Sequence, residues 1–209
     1  MSYRIRVKEA QRALTHLLDT STEERSIQSF LEAHPWMLTR QTRVRPELVI
    51  TQLPLGVDHR PDFVFFWGHS GGDFISLIEI EPPSLQIFTA DDEFSAPFNH
   101  ALQQLEDWSI WIKSNSDYVA HMLKPLTEGF ATSVPTFDWV DLRLIAGRRS
   151  QINSTKRERR WEERVNRAQR DTGIRTYDGF IESVYTAHKP EFSMPCLRYA
   201  NQSYTIIST

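Results

Sequence analysis

Cysteine is almost absent: Cys196 is the only one in 209 residues. One thiol excludes an internal disulfide and a cysteine-based zinc cluster. Long apolar runs are also missing, and none approaches the ~20 residues a membrane-spanning helix requires, so no membrane partner is expected. The first residues, Met1, Ser2, Tyr3, Arg4, Ile5, Arg6, Val7 and Lys8, interleave charge with apolar side chains and do not read as a secretory signal. A reducing cytoplasm is the compartment these absences lead one to expect. There is no internal repeat and no low-complexity segment. His34, His59 and His100 fit no zinc spacing and read as packing or hydrogen-bonding residues.

What is present suits a folded α/β protein. Hydrophobic residues make up 40% of the chain and aromatics 11%, and the length allows one substantial core but not two large domains. The net charge of −3 argues weakly against nucleic acid, but its distribution argues the other way. Between Arg148 and Arg170 nine basic residues stand against three acids, a local balance of +6 that leaves −9 for the rest. An acidic body with one basic segment is expected where a polyanion is gripped at one edge. A solvated helix with internal Glu to Arg pairs has the same composition.

The stretch from Arg60 to Trp111 carries the most information. Phe63 to Trp67 and Phe74 to Ile80 read as two strands joined by a glycine-rich hairpin loop, Gly68 to Asp73. Both runs are apolar on both faces, which predicts a covered sheet. Alternation puts Leu77, Glu79 and Glu81 on one face and Ser76, Ile78 and Ile80 on the other. Two carboxylates therefore leave one side of a buried strand, and Asp62 on the neighbouring strand could add a third. Buried carboxylates repel and are costly, so a divalent cation, a cationic partner or solvent must meet them. Arg60, Arg143 and Arg148 are the candidates for a purely structural ion network, and Asp62 after Pro61 equally fits a strand start. Acid and base of a glycosidase fit poorly, because neighbours at i and i+2 project in parallel and do not face each other across a sugar.

Around this stretch, Tyr3 to Leu18 is expected to be a helix, with Ala10, Leu14, Leu17 and Leu18 at helical spacing. A second helix starts at Ser21, whose spacing from Glu24 is that of a capping box, and Pro35 ends it. Pro46 to Leu55 supplies the first strand of a three-stranded meander, and Pro82 and Pro83 close the third. The loop from Ser84 to Pro97, with Asp91, Asp92 and Glu93, is read as exposed and mobile. Asn99 to Lys113 forms a helix burying Leu102, Leu105, Trp108 and Ile112, with His100, Gln104, Asp107 and Trp111 on the adjacent stripe. Gln104 would ordinarily face water, but this helix can fold back over the carboxylates. Tyr118 to Phe137 reads as irregular, with one short helix. A strand at Val140 to Ile145, a helix at Thr155 to Arg170, a strand at Gly173 to Tyr177 and a helix capped by Asp178 to about Ala187 follow. The tail ends in a strand at Tyr204 to Ile207.

The order helix, three-strand meander with Asp and Glu-x-Glu, helix, strand is that of the restriction-endonuclease-like PD-(D/E)xK nuclease core. The sequence more specifically resembles the Shedu family of antiphage defence nucleases in its C-terminal domain. The residues that carry the likeness are Glu24, Ile27, Gln28, Phe30, Leu31, Glu32, His34 and Pro35, then Arg60, Pro61 and Asp62. Glu79 to Pro83 with Phe88 and Thr89 follow, then His100, Ala101, Leu102, Gln104, Asp107, Trp108 and Trp111, and finally Gly147, Arg148, Thr176, Tyr177 and Asp178. The organisation this implies is an N-terminal helix over residues 1–20, a nuclease-like domain over 21–180 and a helical and strand extension over 181–209.

The resemblance implies a DNA phosphodiesterase in which Asp62 and Glu79 bind Mg²⁺ or Mn²⁺, with the Ile80 carbonyl as an extra ligand. Glu81 stands where most of the superfamily places a lysine, as base or as a further ligand. Gln104 would orient the attacking water or touch phosphate, and Glu24 would complete the carboxylate cluster. Arg148, Arg149, Lys156, Arg157, Arg160 and Arg164 would contact the DNA backbone without reading sequence. The resemblance also implies a homo-oligomer, for which the aromatic tail from Phe192 to Ile207 offers a surface. The alternative is a catalytically lapsed module of the same fold that binds nucleic acid or senses DNA ends.

Overall fold

The structure is a computed structural model that describes residues 2–21, 23–39, 48–130, 137–168, 172–184 and 192–208, the side chains of 69 and 127–130 excepted. Among these residues the fold is α/β, with six helices on the two faces of a mixed seven-stranded sheet. The helices are α1 (Tyr3–Thr20), α2 (Glu24–Ala33), α3 (Ala96–Ser114), α4 (Ser116–Phe130), α5 (Thr155–Ala168) and α6 (Tyr177–Ser183). The strands are β1 (Val49–Thr51), β2 (Phe63–His69), β3 (Gly72–Ile80), β4 (Trp139–Ile145), β5 (Thr172–Arg175), β6 (Cys196–Ala200) and β7 (Ser203–Ser208), in the spatial order β5-β4-β3-β2-β1-β6-β7. No described helix is long and apolar enough to cross a membrane.

Strand β3 is an interior strand of this sheet. It runs antiparallel to β2 and parallel to β4, and its residues from Ile75 to Ile80 are all buried. Alternation sends Ile75 and Leu77 into a core with α3, α4 and α5, and Ile78 and Ile80 into a second core with α1, α2 and α6. Burial on both faces explains the apolar composition of the strand. The β2–β3 turn is tighter than the glycine-rich loop suggested, because pairing continues to His69 opposite Gly72 and leaves only Ser70 and Gly71 between the strands.

Several sequence expectations are corrected. The capping box does not form: the N-cap of α2 is Glu23, and the Ser21 hydroxyl accepts from the Glu23 N–H. Helix α3 begins three residues early, because the Ser95 hydroxyl caps it by accepting from Phe98 N–H and Pro97 is tolerated in the first turn. Most of the segment read as irregular is α4, whose buried stripe of Val119, Met122, Leu123 and Leu126 outweighs the interior Pro125. Thr176, not Asp178, caps α6, by accepting from Gly179 N–H. The first meander strand is shorter than Pro46 to Leu55, and its residues 46 and 47 lie outside the described residues, as do 169–170 and 185–187 of the two late helices.

The tail contributes two strands to the main sheet. β6 pairs parallel with β1, placing Leu197 beside Ile50, and folds back on β7 through Asn201 and Gln202. Both turn residues have positive φ, 52° and 59°, as a two-residue hairpin turn of the right twist demands.

The Ser84 to Pro97 loop is tied down, not free. Phe88 bridges to Phe94, Phe94 stacks on Phe98, and the Ser95 hydroxyl reaches the Gln86 carbonyl. Gly147 closes the turn after β4 at φ +60°, where a Cβ would lie 2.8 Å from Ile87 Cγ1 and 2.9 Å from the Leu85 carbonyl oxygen. Neither the dihedral nor the backbone neighbour can yield cheaply. Gly147→Ala is therefore expected to cost about 2–4 kcal/mol and lower the melting temperature by roughly 5–10 °C, measured by calorimetry.

Candidate metal centre

The β2–β3 register assembles the site. Phe63 lies opposite Ile78, so one step further Asp62 lies opposite Glu79, both on the α3 side with Val64 and Leu77. Directly opposed residues of an antiparallel pair have Cβ atoms about 5 Å apart. Both carboxyls are buried, at 6% and 9% exposure, and lie within hydrogen-bonding reach of each other. Asp62 Oδ2 accepts from the Ile80 N–H at 2.9 Å. A strand residue's N–H and C=O point to the same edge, so the Ile80 carbonyl faces this edge too. Helix α3 folds back as expected, and Gln104 Nε2 donates to Glu79 Oε1 at 2.9 Å.

Glu81 lies just past the strand and is held by its backbone. Its N–H donates to the Ile145 carbonyl at 2.9 Å, and its carbonyl accepts from the buried Tyr177 hydroxyl at 2.7 Å. Glu24, freed from the capping role, projects from the first turn of α2 close enough to act on the other three carboxyls. The site thus gathers Glu24, Asp62, Glu79, Glu81 and Gln104 at the carboxyl end of β3, where the sheet changes from antiparallel to parallel pairing. Ligands of open α/β sheets bind at such ends.

No cation pairs with these four carboxylates among the described residues. Arg143 is bound to Asp141 at 2.7 Å, and Arg148 to Asp19 at 2.9 Å and Asp178 at 3.1 Å, so neither forms the structural ion network that the sequence left open. Burial and mutual repulsion accordingly favour protonation. Asp62 and Glu79 are both raised far above the carboxylate range, by burial first and by the neighbouring acids next, the Ile80 N–H partly opposing this at Asp62. Burial, then Glu24, pushes Glu81 up to about 7. Burial also raises Glu24. The Tyr177 hydroxyl is raised by burial and then by the same carboxylates.

The donor set fits a hard divalent cation, since it is all oxygen, doubly acidic at its centre and without a resident positive charge. No group of three or more His, Cys, Asp or Glu side chains is placed to hold a metal ion among the described residues. Mg²⁺ needs none, as it commonly takes one or two carboxylates and keeps its waters. Asp62, Glu79 and the Ile80 carbonyl are the groups that would hold it.

The basic residues lie elsewhere and are engaged within the chain. Arg157 Nε donates to Asp92 at 2.6 Å, Lys156 pairs with Asp92 at 3.6 Å and Arg160 with Glu93, while the Arg164 guanidinium sits 4.8 Å from the Phe94 ring centre. Arg149 pairs with Glu182. The loop acids read as solvated are thus the partners of α5.

Three residues near the site carried no role in the sequence. Tyr177 fixes the Glu81 backbone, Thr51 on β1 adjoins the Asp62 carbonyl, and Gln28 on α2 donates to Thr51. The spacing of Gln28, four residues after Glu24 on one helical face, was the available signal.

The cluster makes the metal-free protein sensitive to pH. Its folded state holds protons that the unfolded chain releases near pH 4, so stability is full below that pH and falls as pH rises through the folded values. Each pKa unit is about 1.4 kcal/mol, less for the part-exposed Glu81. In EDTA the melting temperature is expected to drop by roughly 10 °C between about pH 5 and pH 8. Glu79→Gln should flatten that dependence and Mg²⁺ should oppose it; a melting temperature that rises over this window would contradict the assignment.

A family model described as Shedu protein SduA, C-terminal, matches residues 21–181. A comparison with curated proteins gave no match. The matched span includes Glu24, Asp62, Glu79, Glu81 and Gln104 and runs from α2 to α6, leaving α1, β6 and β7 outside it. With most of its length covered, and the whole carboxylate site within that part, the chain belongs to the Shedu family through its SduA C-terminal domain.

Proposed function

We propose that the protein is a metal-dependent nuclease that hydrolyses DNA phosphodiester bonds in antiphage defence. One observation carries the reading: four carboxylates without a cationic partner among the described residues meet at the carboxyl end of the interior strand β3. Membership of the Shedu family supports the defence role. The order α2, β1–β2–β3 meander, α3, β4 supports a PD-(D/E)xK core.

A bound Mg²⁺ or Mn²⁺ would acidify a water and stabilise charge on phosphate oxygens. Asp62 and Glu79 would hold it, and the Ile80 N–H fixes the orientation of Asp62. Gln104 orients Glu79 through its amide N–H, which leaves its own carbonyl oxygen to accept from water. Glu81 replaces the usual lysine as the base. A carboxylate titrating near neutrality can take a proton at working pH, and the Tyr177 and Ile145 bonds hold its backbone still. Glu24 closes the acidic rim.

The half-exposed Arg149 and Lys156 are the readiest phosphate contacts, since exposed ion pairs of this kind are worth only about 0–1 kcal/mol and exchange readily. Arg148, Arg157, Arg160 and Arg164 extend that surface. Assembly into homo-oligomers uses the outer strand β7, where Ile206 and Ile207 are exposed.

Plasmid and linear DNA are the test substrates. Cleavage with Mg²⁺ or Mn²⁺ is expected from the intact chain, to be abolished by EDTA and reduced about 10³-fold by Glu79→Ala. DNA binding that weakens with salt, with no cleavage under either metal, would establish the inactive nucleic-acid-binding module in its place.

A further inference from the structure

Gln28 is a buried polar residue for which a core position offers no packing reason. It lies between Ile27 and Leu31 on α2 and is only 8% exposed. Its Nε2 donates to Thr51 Oγ1 at 2.8 Å and to Glu32 Oε1 at 3.3 Å. Thr51 is fully buried on β1, and its hydroxyl lies 2.7 Å from Glu32 Oε1 and 3.2 Å from the Asp62 carbonyl oxygen. That carbonyl also accepts from the Gln52 N–H at 2.9 Å. Arg198 on β6 completes the group by donating to Glu32 Oε1 at 3.2 Å. One polar network therefore joins α2, β1 and β6 to the backbone of the residue that carries the Asp62 carboxylate.

The same amide is one helical turn from Glu24 and on the same face. We infer that Gln28 is a positioning residue for the carboxylate centre: through Thr51 it fixes the backbone at Asp62, and through its helix it fixes where Glu24 meets the cluster. The inference rests on the metal-site reading above. Gln28 Oε1 is buried and has no hydrogen-bond partner among the described residues. Buried acceptors are rarely left open, and a water or a protonated carboxyl would satisfy this one. Pure stability does not account for the arrangement, since leucine would fill the position without an unsatisfied atom.

The test uses the full chain and reads Mn²⁺ affinity by calorimetry without DNA, melting in EDTA, and kcat and KM on plasmid DNA. Gln28→Leu and Thr51→Val are expected to weaken Mn²⁺ binding about tenfold, as loss of groups behind metal ligands does. They should lower kcat by a similar factor with KM within about twofold and melting within a few degrees of wild type. Thr51→Ser, which keeps the hydroxyl, should restore Mn²⁺ affinity. Wild-type Mn²⁺ affinity in both Gln28→Leu and Thr51→Val would overturn the inference and leave the nuclease reading standing. Wild-type protein that binds Mn²⁺ but does not cut DNA would overturn the nuclease reading, with Gln28 still judged by affinity. Wild-type protein that binds no Mn²⁺ would overturn both.

Discussion

Burial of Asp62 and Glu79 beside Glu24 and Glu81 is the constraint around which this structure is built. Buried carboxylates without a cationic partner cost several kcal/mol, which the Ile80 N–H at Asp62 and the Gln104 amide at Glu79 offset only in part. The compensation is distributed over the sheet. Ile75, Leu77, Ile78 and Ile80 of β3 are buried on alternating sides in two cores, each such side chain contributing roughly 1.5–3 kcal/mol. A site of this charge can be kept because the strand that bears it is buried on both faces from Ile75 to Ile80. Without ligand the site relaxes by holding protons, which a cation would have to displace on binding.

Register is what converts two separated acids into a pair. A slip of one residue between β2 and β3 would turn Glu79 to the α2 side and part it from both Asp62 and Gln104. The turn prevents this at several points. Gly72 adopts φ +129° and packs against Asp138 and Trp139, with a hypothetical Cβ only 2.8 Å from Asp138 Oδ2. The Asp73 N–H donates to the same carboxylate at 3.0 Å, and the Asp138 N–H to the Asp73 carbonyl at 2.9 Å. At the other end Ile80 N–H seizes the Asp62 side chain itself. The bond that orients Asp62 thus also holds the open end of the hairpin in register.

Much of this was legible in the residues. Alternation predicted the shared face of Glu79 with Leu77, and the hairpin predicted Asp62 beside it, because period two and antiparallel pairing are local rules. Gln104 followed from the helical stripe of α3. Glu24 was obscured by a capping-box spacing that chance also produces, since only the structure distinguishes Glu23 as the cap. The parallel pairing of β6 with β1 was not legible, because it joins segments some 150 residues apart and no short-range pattern encodes it. Its return strand was marked by a two-residue turn without glycine, which hides the usual hairpin signature.

The charge asymmetry has a second meaning once the partners are known. Arg157, partly covered by the Phe88 ring, gathers Asp92, the Thr89 carbonyl and the Gln151 carbonyl, and Arg160 adds Glu93 and the Asp92 carbonyl. These bonds shape the loop that leaves the site after Glu81 and delivers Ser95 as the cap of α3. Part of the positive charge that suggested a polyanion partner is thus used inside the chain, to hold the loop between β3 and α3.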